Sequence, residues 1–216
     1  MDPDGARSLL VSCRLLPVIV LNDADTAGWL GSTLVDNGLP IAEVTLRTPA
    51  ALQAIERLAE VPGLLLAAGT VVSVEQVDQA AQAGASVIVS PGFDAEVVQR
   101  SLERGLLPIP GVATATEVQA ALRAGVQLLK FFPAGSLGGP RTLQALAAPF
   151  PQVRFVPTGG IGADDLVAYL RLSCVTAVGG SFMVPSALLR AGDRQAIGER
   201  IRAAVAAASA TAAEPS

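Results

Sequence analysis

Eight short apolar runs recur along the chain of 216 residues, spaced by roughly 20–25 positions, and helical patterns lie between them. The runs are PVIVL (17–21), IAEVTL (41–46), LLLAAGT (64–70), SVIVSP (86–91), LLPIPG (106–111), LLKFF (128–132), VRFVPTGG (153–160) and TAVGG (176–180). Strands that alternate with helices of this length indicate parallel βα units. Eight such units predict an α/β chain folded as a closed (β/α)8 barrel, and a doubly wound open sheet is the alternative.

The helical segments between the runs carry start and stop signals. Thr48, which is followed by proline, predicts an N-cap with proline in the first turn. The segments SVEQ (73–76) and TATE (114–117) have the spacing of a capping box. Glycines stand where four of the helices are expected to end, at Gly38, Gly84, Gly105 and Gly125.

The alternation of strands and helices continues without a recognisable linker, so residues 1–208 are predicted to form a single domain. The segment ARSLLVSCRLL (6–16) predicts an extra N-terminal helix before the first strand. The last residues, SATAAEPS (209–216), are expected to form a disordered tail.

The composition is that of a globular protein with a large core, because 51% of the residues are hydrophobic and only 16% are charged. A net charge of −4 offers no basic field for nucleic acid. No secretory signal and no membrane span are recognisable. The two cysteines form no disulfide framework and no CxxC motif, so we expect a cytoplasmic protein.

The chain contains no histidine. This absence excludes Ser-His-Asp and Cys-His mechanisms and the zinc sites that use histidine. Proton transfer must therefore be carried out by Glu, Asp, Lys, Tyr, water or a phosphate group of the substrate.

Lys130 is the only lysine among fifteen basic residues, and it lies between Leu129 and Phe131 in an apolar run. Lysine is rarely buried without a partner. Apolar surroundings disfavour its charged form, and the neutral amine is the nucleophile that attacks carbonyl groups. A compositional preference for arginine could also leave a single lysine by drift, so the position alone supports a chemical and a structural interpretation about equally.

The run EVTLR (43–47) places Glu43, Thr45 and Arg47 on one face of a strand, because side chains alternate along a strand. One interpretation is a structural Glu43–Arg47 ion pair. The other is a general base beside an arginine that grips a carboxylate with two hydrogen bonds. The same alternation makes Lys130 and Phe132 share a face in the run KFF (130–132).

Three small-residue turns follow predicted strands. Thr70 ends AAGT (67–70), where it is either a helix cap or a hydroxyl of a site. The turns PTGG (157–160) and VGGS (178–181) close the last two strands, where (β/α)8 barrels often bind phosphate. Their glycines let backbone N–H groups approach an anion, and Ser181 adds a hydroxyl.

These residues fit one kind of chemistry. An amine that forms a Schiff base, a carboxylate that moves protons, an arginine for a keto-acid carboxylate and a distal phosphate pocket describe a carbonyl lyase. A protonated imine withdraws electrons from the neighbouring carbon, so that a carbon–carbon bond can break to give an enamine without a metal.

The ordered motifs PVIVL, EVTLRT, AGT, SPG, IPG, KFFPA, PTGGI and GGS extend over residues 17–185. In these motifs the chain resembles the 2-keto-3-deoxy-6-phosphogluconate / 4-hydroxy-2-oxoglutarate aldolase family. The resemblance implies a class I (Schiff-base) aldolase on a (β/α)8 barrel, assembled as a homotrimer and needing no cofactor. It implies release of pyruvate and glyceraldehyde 3-phosphate, or of pyruvate and glyoxylate in the smaller reaction.

The resemblance also implies a role for each matching residue. Lys130 forms the Schiff base, and Glu43 is the acid/base. The substrate-binding residues fall into four groups: Arg47 and Thr70 on the pyruvate carboxylate, Pro91 and Phe132 along the pocket, Thr158 at the aldehyde part, and Gly159, Gly160, Gly180 and Ser181 at the phosphate. The chain departs from many family members at Gly135, where they carry Glu, and at Phe182, where they carry Trp. Both departures concern the half of the site that is distal to the imine.

Three other functions remain compatible with the motifs. One is a related aldolase that acts on another 2-keto-3-deoxy phosphosugar acid. Another is a phosphosugar barrel isomerase or decarboxylase that uses Glu43 as a base without an imine. The third is a non-catalytic barrel that binds anions. Trapping with borohydride and an assay of pyruvate release separate the last two alternatives from an aldolase.

Overall fold

The computed structural model describes residues 1–212, in which helices alternate with parallel strands. The strands are β1 (Leu15–Ile19), β2 (Ile41–Thr45), β3 (Leu65–Gly69), β4 (Val87–Val89), β5 (Leu107–Ile109), β6 (Gly111–Val112), β7 (Leu128–Phe131), β8 (Arg154–Pro157) and β9 (Val178–Gly180). The helices are α1 (Pro3–Cys13), α2 (Thr26–Asp36), α3 (Ala51–Ala59), α4 (Val74–Gln82), α5 (Ala95–Glu103), α6 (Ala115–Arg123), α7 (Gly139–Ala147), α8 (Leu166–Leu170), α9 (Ser186–Ala191) and α10 (Arg194–Ala212). Every predicted apolar run overlaps at least one strand.

The strands form a curled parallel sheet in which β1 to β5 are neighbours in chain order and β9 lies on the other side of β1. One set is hydrogen-bonded in the order β5-β4-β3-β2-β1-β9, and the other in the order β6-β7-β8. A doubly wound sheet reverses its strand order part-way across. Here β9 lies next to β1, and isolated bridges also link the region of β9 to that of β8, so the described strands follow one another around a curled sheet and a doubly wound sheet is not formed.

Pro110 divides the predicted run LLPIPG into two strands. β5 pairs with β4, whereas β6 pairs with β7 on the other side. Pro110 has no N–H group to give to either neighbour. Its carbonyl oxygen accepts a hydrogen bond from the N–H of Lys130, 2.9 Å away. Pro110 is thus the point at which the chain changes partners, and it fixes the backbone of Lys130.

The core lies between the strands and the helices that cover them. All five residues of β2 are buried, as expected for a parallel strand covered on both faces. Residues spaced by three and four along α3, such as Ala51, Ile55 and Leu58, are buried on the side that faces β2 and β3. Within residues 1–212, no helix is both long and apolar enough to cross a membrane.

Helix α1 precedes β1 and packs against β1 and β5 through its buried residues Ala6 and Leu10. The Asp2 carboxylate caps its N-terminus by accepting a hydrogen bond from the N–H of Gly5 at 2.7 Å. The helix ends where Arg14 adopts a left-handed conformation with a φ of 57°. The strand that follows therefore begins at Leu15, inside the segment 6–16 that the sequence predicted to be helical.

The prediction of a disordered tail from residue 209 is wrong for residues 209–212, because α10 continues to Ala212. Two features explain the extension. The segment is rich in alanine, which has the highest helix propensity. The Arg14 guanidinium also donates hydrogen bonds to the Ala208 carbonyl oxygen and to the Thr211 hydroxyl. Residues 213–216 lie outside the described part of the chain.

The capping predictions had mixed outcomes. Thr114 and Glu117 form the predicted capping box, and Ser73 caps α4. Thr48 is not an N-cap, because α3 begins at Ala51. Its hydroxyl instead donates a hydrogen bond to the Leu21 carbonyl oxygen, which ties the loop after β2 to the end of β1. The Thr48 hydroxyl thus bonds to a carbonyl oxygen that is distant in sequence and does not cap the nearby helix.

Candidate active site

The carboxyl ends of the strands surround a cavity of about 620 Å³. All eleven residues that the sequence singled out line this cavity: Glu43, Arg47, Thr70, Pro91, Lys130, Phe132, Thr158, Gly159, Gly160, Gly180 and Ser181. The volume is typical of a pocket for a small metabolite. The cavity lies where enzymes with parallel βα units place their active sites.

The centre of the cavity is an ion pair between Lys130 and Glu43. Lys130 lies on β7 and Glu43 on β2, which are not neighbouring strands. Their side chains meet across the interior, with the Lys130 Nζ 3.6 Å from the Glu43 Oε1. The exposed fractions of the two residues are only 5% and 0%. Since water screens this pair poorly, its electrostatic interaction is stronger than that of a surface pair.

The Glu43 carboxylate has no hydrogen-bond partner for either oxygen within residues 1–212. A buried carboxylate without hydrogen bonds is costly and is rare in purely structural positions. The structural Glu43–Arg47 ion pair is not formed, because the ion pair of Glu43 is with Lys130. The Glu43 carboxylate can therefore accept hydrogen bonds or a proton from a molecule bound in the cavity.

Phe132 lies beside the amine, as the alternation along KFF predicted. The Lys130 Nζ is 4.9 Å from the centroid of the Phe132 ring, within the range of a cation–π contact. Phe131 faces the other way and is fully buried in the core. The aromatic ring and the Glu43 carboxylate together hold the lysine amine in one place.

Arg47, Thr70 and Pro91 come from the loops that follow three neighbouring strands. Arg47 lies in the turn after β2 and is exposed, and its N–H donates to the Thr45 carbonyl oxygen at 2.8 Å. Thr70 follows β3 with a φ of 60°, which is unusual for a β-branched residue. Ser73 caps the next helix, so Thr70 is not the cap, and its conformation is one of the outliers that concentrate at functional sites.

Glycine-rich loops form the outer part of the cavity. Gly159 and Gly160 both adopt left-handed conformations, with φ values of 93° and 71°. Gly180 and Ser181 follow at the end of β9. Two adjacent N–H groups and a hydroxyl are suitable donors for an anion.

The sequence analysis missed two glycines that shape the cavity from the strands. A Cβ atom at Gly69 would lie 2.2 Å from the Glu43 Oε1, and one at Gly179 would lie 2.2 Å from the Thr158 Oγ1. Both glycines thus leave space that a functional side chain occupies. Sequence alone suggested only tight turns here, because the overlap depends on the register between strands. Five further lining residues were also not predicted as site residues: Val18, Val20, Thr45, Ile161 and Ser186.

Charge is concentrated in the inner part of the cavity. Glu43, Arg47 and Lys130 are the only charged residues among those that line it within the described chain. Since Glu43 offsets Lys130, the guanidinium of Arg47 is left to attract one substrate anion. A buried amine, a carboxylate 3.6 Å away and an anion-binding arginine can together form and break an imine of a keto acid.

A sequence model of the family described as KDPG and KHG aldolase, the enzymes of 2-keto-3-deoxy-6-phosphogluconate and of 4-hydroxy-2-oxoglutarate, matches residues 7–200. The chain belongs to this aldolase family. It is therefore an enzyme that acts on carbon–carbon bonds, as the ordered motifs predicted. The 2-dehydro-3-deoxy-phosphogluconate aldolase of Treponema pallidum is 46% identical over 181 residues, which are 83% of this chain and 86% of that protein.

Two solved aldolase structures are closely similar to this fold. The 2-keto-3-deoxy-6-phosphogluconate aldolase of Zymomonas mobilis, solved with 3-phosphoglycerate, has a TM-score of 0.88 at 39% identity and covers 94% of this aldolase and 96% of its own chain. The KDPG aldolase of Legionella pneumophila, solved with pyruvate captured as a covalent carbinolamine, also has a TM-score of 0.88, at 36% identity over 92% of this aldolase and 97% of its own chain.

Proposed function

We propose that this aldolase cleaves 2-keto-3-deoxy-6-phosphogluconate to pyruvate and glyceraldehyde 3-phosphate through an imine on Lys130. In the smaller reaction it cleaves 4-hydroxy-2-oxoglutarate to pyruvate and glyoxylate. The observation that carries the proposal is the buried contact of 3.6 Å between the Lys130 amine and the Glu43 carboxylate inside the cavity. Neither a cofactor nor a metal takes part in this chemistry.

The reaction begins with Lys130. Its neutral amine attacks the C2 carbonyl carbon of the keto acid and forms a carbinolamine, which loses water to give a protonated imine. The carbinolamine captured with pyruvate in the Legionella pneumophila relative supports this first step. The Glu43 carboxylate, 3.6 Å away, accepts the proton that leaves Lys130. It then gives this proton to the carbinolamine hydroxyl, which departs as water, so that Glu43 is a carboxylate again when the imine has formed.

Glu43 then acts as the general base. It takes the proton from the C4 hydroxyl, the C3–C4 bond breaks, and the electron pair moves into the imine to leave an enamine. The aldehyde departs from the outer part of the cavity. Glu43 returns its proton to C3 of the enamine, and water hydrolyses the resulting imine to release pyruvate and restore the Lys130 amine.

Arg47 and Thr70 hold the carboxylate of the pyruvate part. The support for this role is position and charge: Arg47 and Thr70 line the cavity just after β2 and its neighbour β3, and Arg47 is the cation that Glu43 does not offset. Pro91 and Phe132 form the apolar wall beside the reacting carbons.

The outer part of the cavity binds the aldehyde half of the substrate. Thr158 lies nearest to the strands, and the hydroxyl of this residue contacts the aldehyde part. Gly159, Gly160, Gly180 and Ser181 hold the phosphate through N–H groups and a hydroxyl. The solved Zymomonas mobilis relative with 3-phosphoglycerate supports binding of a three-carbon phosphate in this family.

We further propose that the strands close into an eight-stranded barrel preceded by α1 as an additional helix. Two observations support closure. β5 and β6 are separated only by Pro110, and isolated bridges join Phe155 to Val175 and Thr158 to Gly179 between the regions of β8 and β9.

The assembly and the compartment are also proposals. The family resemblance supports a homotrimer, which sedimentation of the purified chain tests directly. Cys13 and Cys174 are free thiols, which supports a reducing compartment, namely the cytoplasm.

A coupled assay of pyruvate release tests the function. We expect turnover with the phosphorylated 2-keto-3-deoxy acid, slower turnover with its unphosphorylated form, and measurable release from 4-hydroxy-2-oxoglutarate. Conversion of a phosphosugar without release of pyruvate would instead support the isomerase or decarboxylase alternative. Absence of pyruvate from all three keto acids would overturn the proposal.

A further inference from the structure

We propose that Gly69 is a positioning residue of this enzyme: the absence of a side chain at Gly69 creates the recess that holds the Glu43 carboxylate next to Lys130. The inference rests on the proposed role of Glu43 as the acid/base. Gly69 contacts no substrate in this proposal, but it determines the position of the acid/base.

The recess is unusually tight. A Cβ atom at Gly69 would lie 2.2 Å from the Glu43 Oε1 and 2.8 Å from both its Cδ and its Cγ. All three distances are far below van der Waals contact. The overlap involves most of the Glu43 side chain, so a small rotation of the carboxylate does not relieve it.

The backbone of Gly69 does not itself demand glycine. Gly69 is absent from the residues with positive φ, and it is a regular strand residue at the end of β3. Gly63 and Gly84, in contrast, have φ values of 79° and 100°. The Glu43 side chain, rather than the conformation of the chain, is therefore what excludes a side chain at position 69.

The strand that carries Gly69 cannot easily retreat. Gly69 is paired with Thr45 of β2, and its carbonyl oxygen accepts a hydrogen bond of 2.7 Å from the N–H of Leu46. Both contacts are with the carboxyl end of β2, just after Glu43. An alanine at position 69 would consequently displace the Glu43 side chain, which is the flexible partner, and leave the sheet intact.

The displacement should affect catalysis more than folding. A misplacement of about 1 Å can cost roughly 10²-fold in rate. We expect Gly69→Ala to lower kcat for pyruvate release by about 10- to 100-fold. The yield of the borohydride-trapped imine after long incubation should stay near that of the unaltered enzyme, because the Lys130 amine remains present and a long incubation reports the extent of imine formation and not its rate.

Gly31→Ala is the matched control. Gly31 is buried in α2, where a Cβ atom would lie 2.7 Å from the Val61 Cγ2 and 3.0 Å from the Leu58 Cδ2, remote from the cavity. This variant introduces a comparable overlap without touching Glu43. It should lower the melting temperature while leaving kcat of the folded enzyme within about threefold of normal.

A double-mutant cycle with Glu43→Ala isolates the contact. The three atoms nearest to a Cβ atom at position 69 all belong to Glu43, so Glu43→Ala removes these overlaps. Adding Gly69→Ala to Glu43→Ala should therefore change the residual rate of pyruvate C3 proton exchange by less than about threefold, and should not lower the melting temperature further. If Gly69 acts instead through the backbone or through the neighbouring Thr70, Gly69→Ala should lower the rate of pyruvate C3 proton exchange by the same factor in the unaltered enzyme and in the Glu43→Ala variant.

The outcomes separate this inference from the proposed function. If Glu43→Gln abolishes turnover but Gly69→Ala has kcat within about threefold of normal, the positioning role is overturned and the acid/base role stands. The positioning role is also overturned if Gly69→Ala lowers the rate of pyruvate C3 proton exchange by the same factor with and without the Glu43 side chain. If Glu43→Gln itself turns over normally, the proposed role of Glu43 fails first.

Discussion

In the inner part of the cavity, Lys130 and Glu43 lie on strands and are 5% and 0% exposed. In the outer part, Gly160 and Ser181 lie in loops and are exposed, and no charged residue among those that line the cavity within residues 1–212 belongs to these loops. The two charged groups that are proposed to carry out the chemistry thus lie on strands, whereas Arg47, which is proposed to bind the carboxylate, is exposed in the turn after β2. Uncharged hydrogen-bond donors on loops are sufficient in the outer part, where the substrate is bound but no bond changes. The following predictions test this division.

Lys130→Arg should have the largest effect. A guanidinium keeps its proton and cannot act as the nucleophile, so pyruvate release should fall to background. The variant should fold, because arginine retains a cation beside Glu43 and Phe132. Circular dichroism and a coupled pyruvate assay measure the two properties. Substantial turnover by the folded variant would remove Lys130 from the inner part of the site.

Glu43→Gln should lower kcat by about 10²- to 10⁴-fold, the usual contribution of a general acid–base group. Glutamine keeps the size of the side chain and removes the proton acceptor. Exchange of the pyruvate C3 protons should slow in parallel, and the melting temperature should change little. A merely structural role for Glu43 predicts the reverse, with a lower melting temperature and near-normal turnover in a cool assay.

Arg47→Gln should raise the KM for keto acids by about 10- to 100-fold with a smaller change in kcat. Hydrogen bonds to a charged group contribute about 1.5–3 kcal/mol, and each 1.36 kcal/mol is a factor of ten. The same fold-change should appear for phosphorylated and unphosphorylated substrates, because both carry the carboxylate. A rise confined to the phosphorylated substrate would place Arg47 at the phosphate instead.

Ser181→Asp should affect only the binding of the phosphate group in the outer part of the cavity. Repulsion between the new carboxylate and the phosphate should raise the KM of the phosphorylated substrate several-fold, while turnover of 4-hydroxy-2-oxoglutarate should be nearly unchanged. Inorganic phosphate should compete with the phosphorylated substrate in the unaltered enzyme. Equal kcat/KM for phosphorylated and unphosphorylated 2-keto-3-deoxy acids would contradict a phosphate site in these loops.

Exhaustive dialysis against EDTA should have the smallest effect. The imine serves as the electron sink, so kcat should stay the same within the error of the assay. Loss of activity that is restored by a divalent cation would show that the inner part of the cavity works through a metal rather than through Lys130.

Much of the inner part was predictable because strand alternation is a local rule. The period of two correctly placed Glu43 with Thr45, and Lys130 with Phe132, toward the same cavity. Arg47 also lines the cavity, but it does so from the turn after β2 and not as part of the strand. Helix ends with glycine were also predictable, as the left-handed conformations of Gly38 and Gly125 confirm. These features depend on residues that are close together in sequence.

Features that depend on pairing between distant segments were not predictable. The contact between Lys130 and Glu43 joins β7 to β2, and only the curvature of the sheet sets its distance. The space beside Gly69 depends on the register of β3 against β2. Thr48 was mistaken for a helix cap because its acceptor, the Leu21 carbonyl oxygen, is 27 positions away.

The most direct test of the central claim is to trap the imine. The enzyme is incubated with pyruvate, reduced with borohydride, digested and mapped by mass spectrometry, with Lys130→Arg treated in parallel. We expect one three-carbon adduct for each chain, located on Lys130, and none in the variant. Absence of an adduct in the unaltered enzyme, or an adduct of the same yield in Lys130→Arg, would contradict the claim that Lys130 carries the reaction.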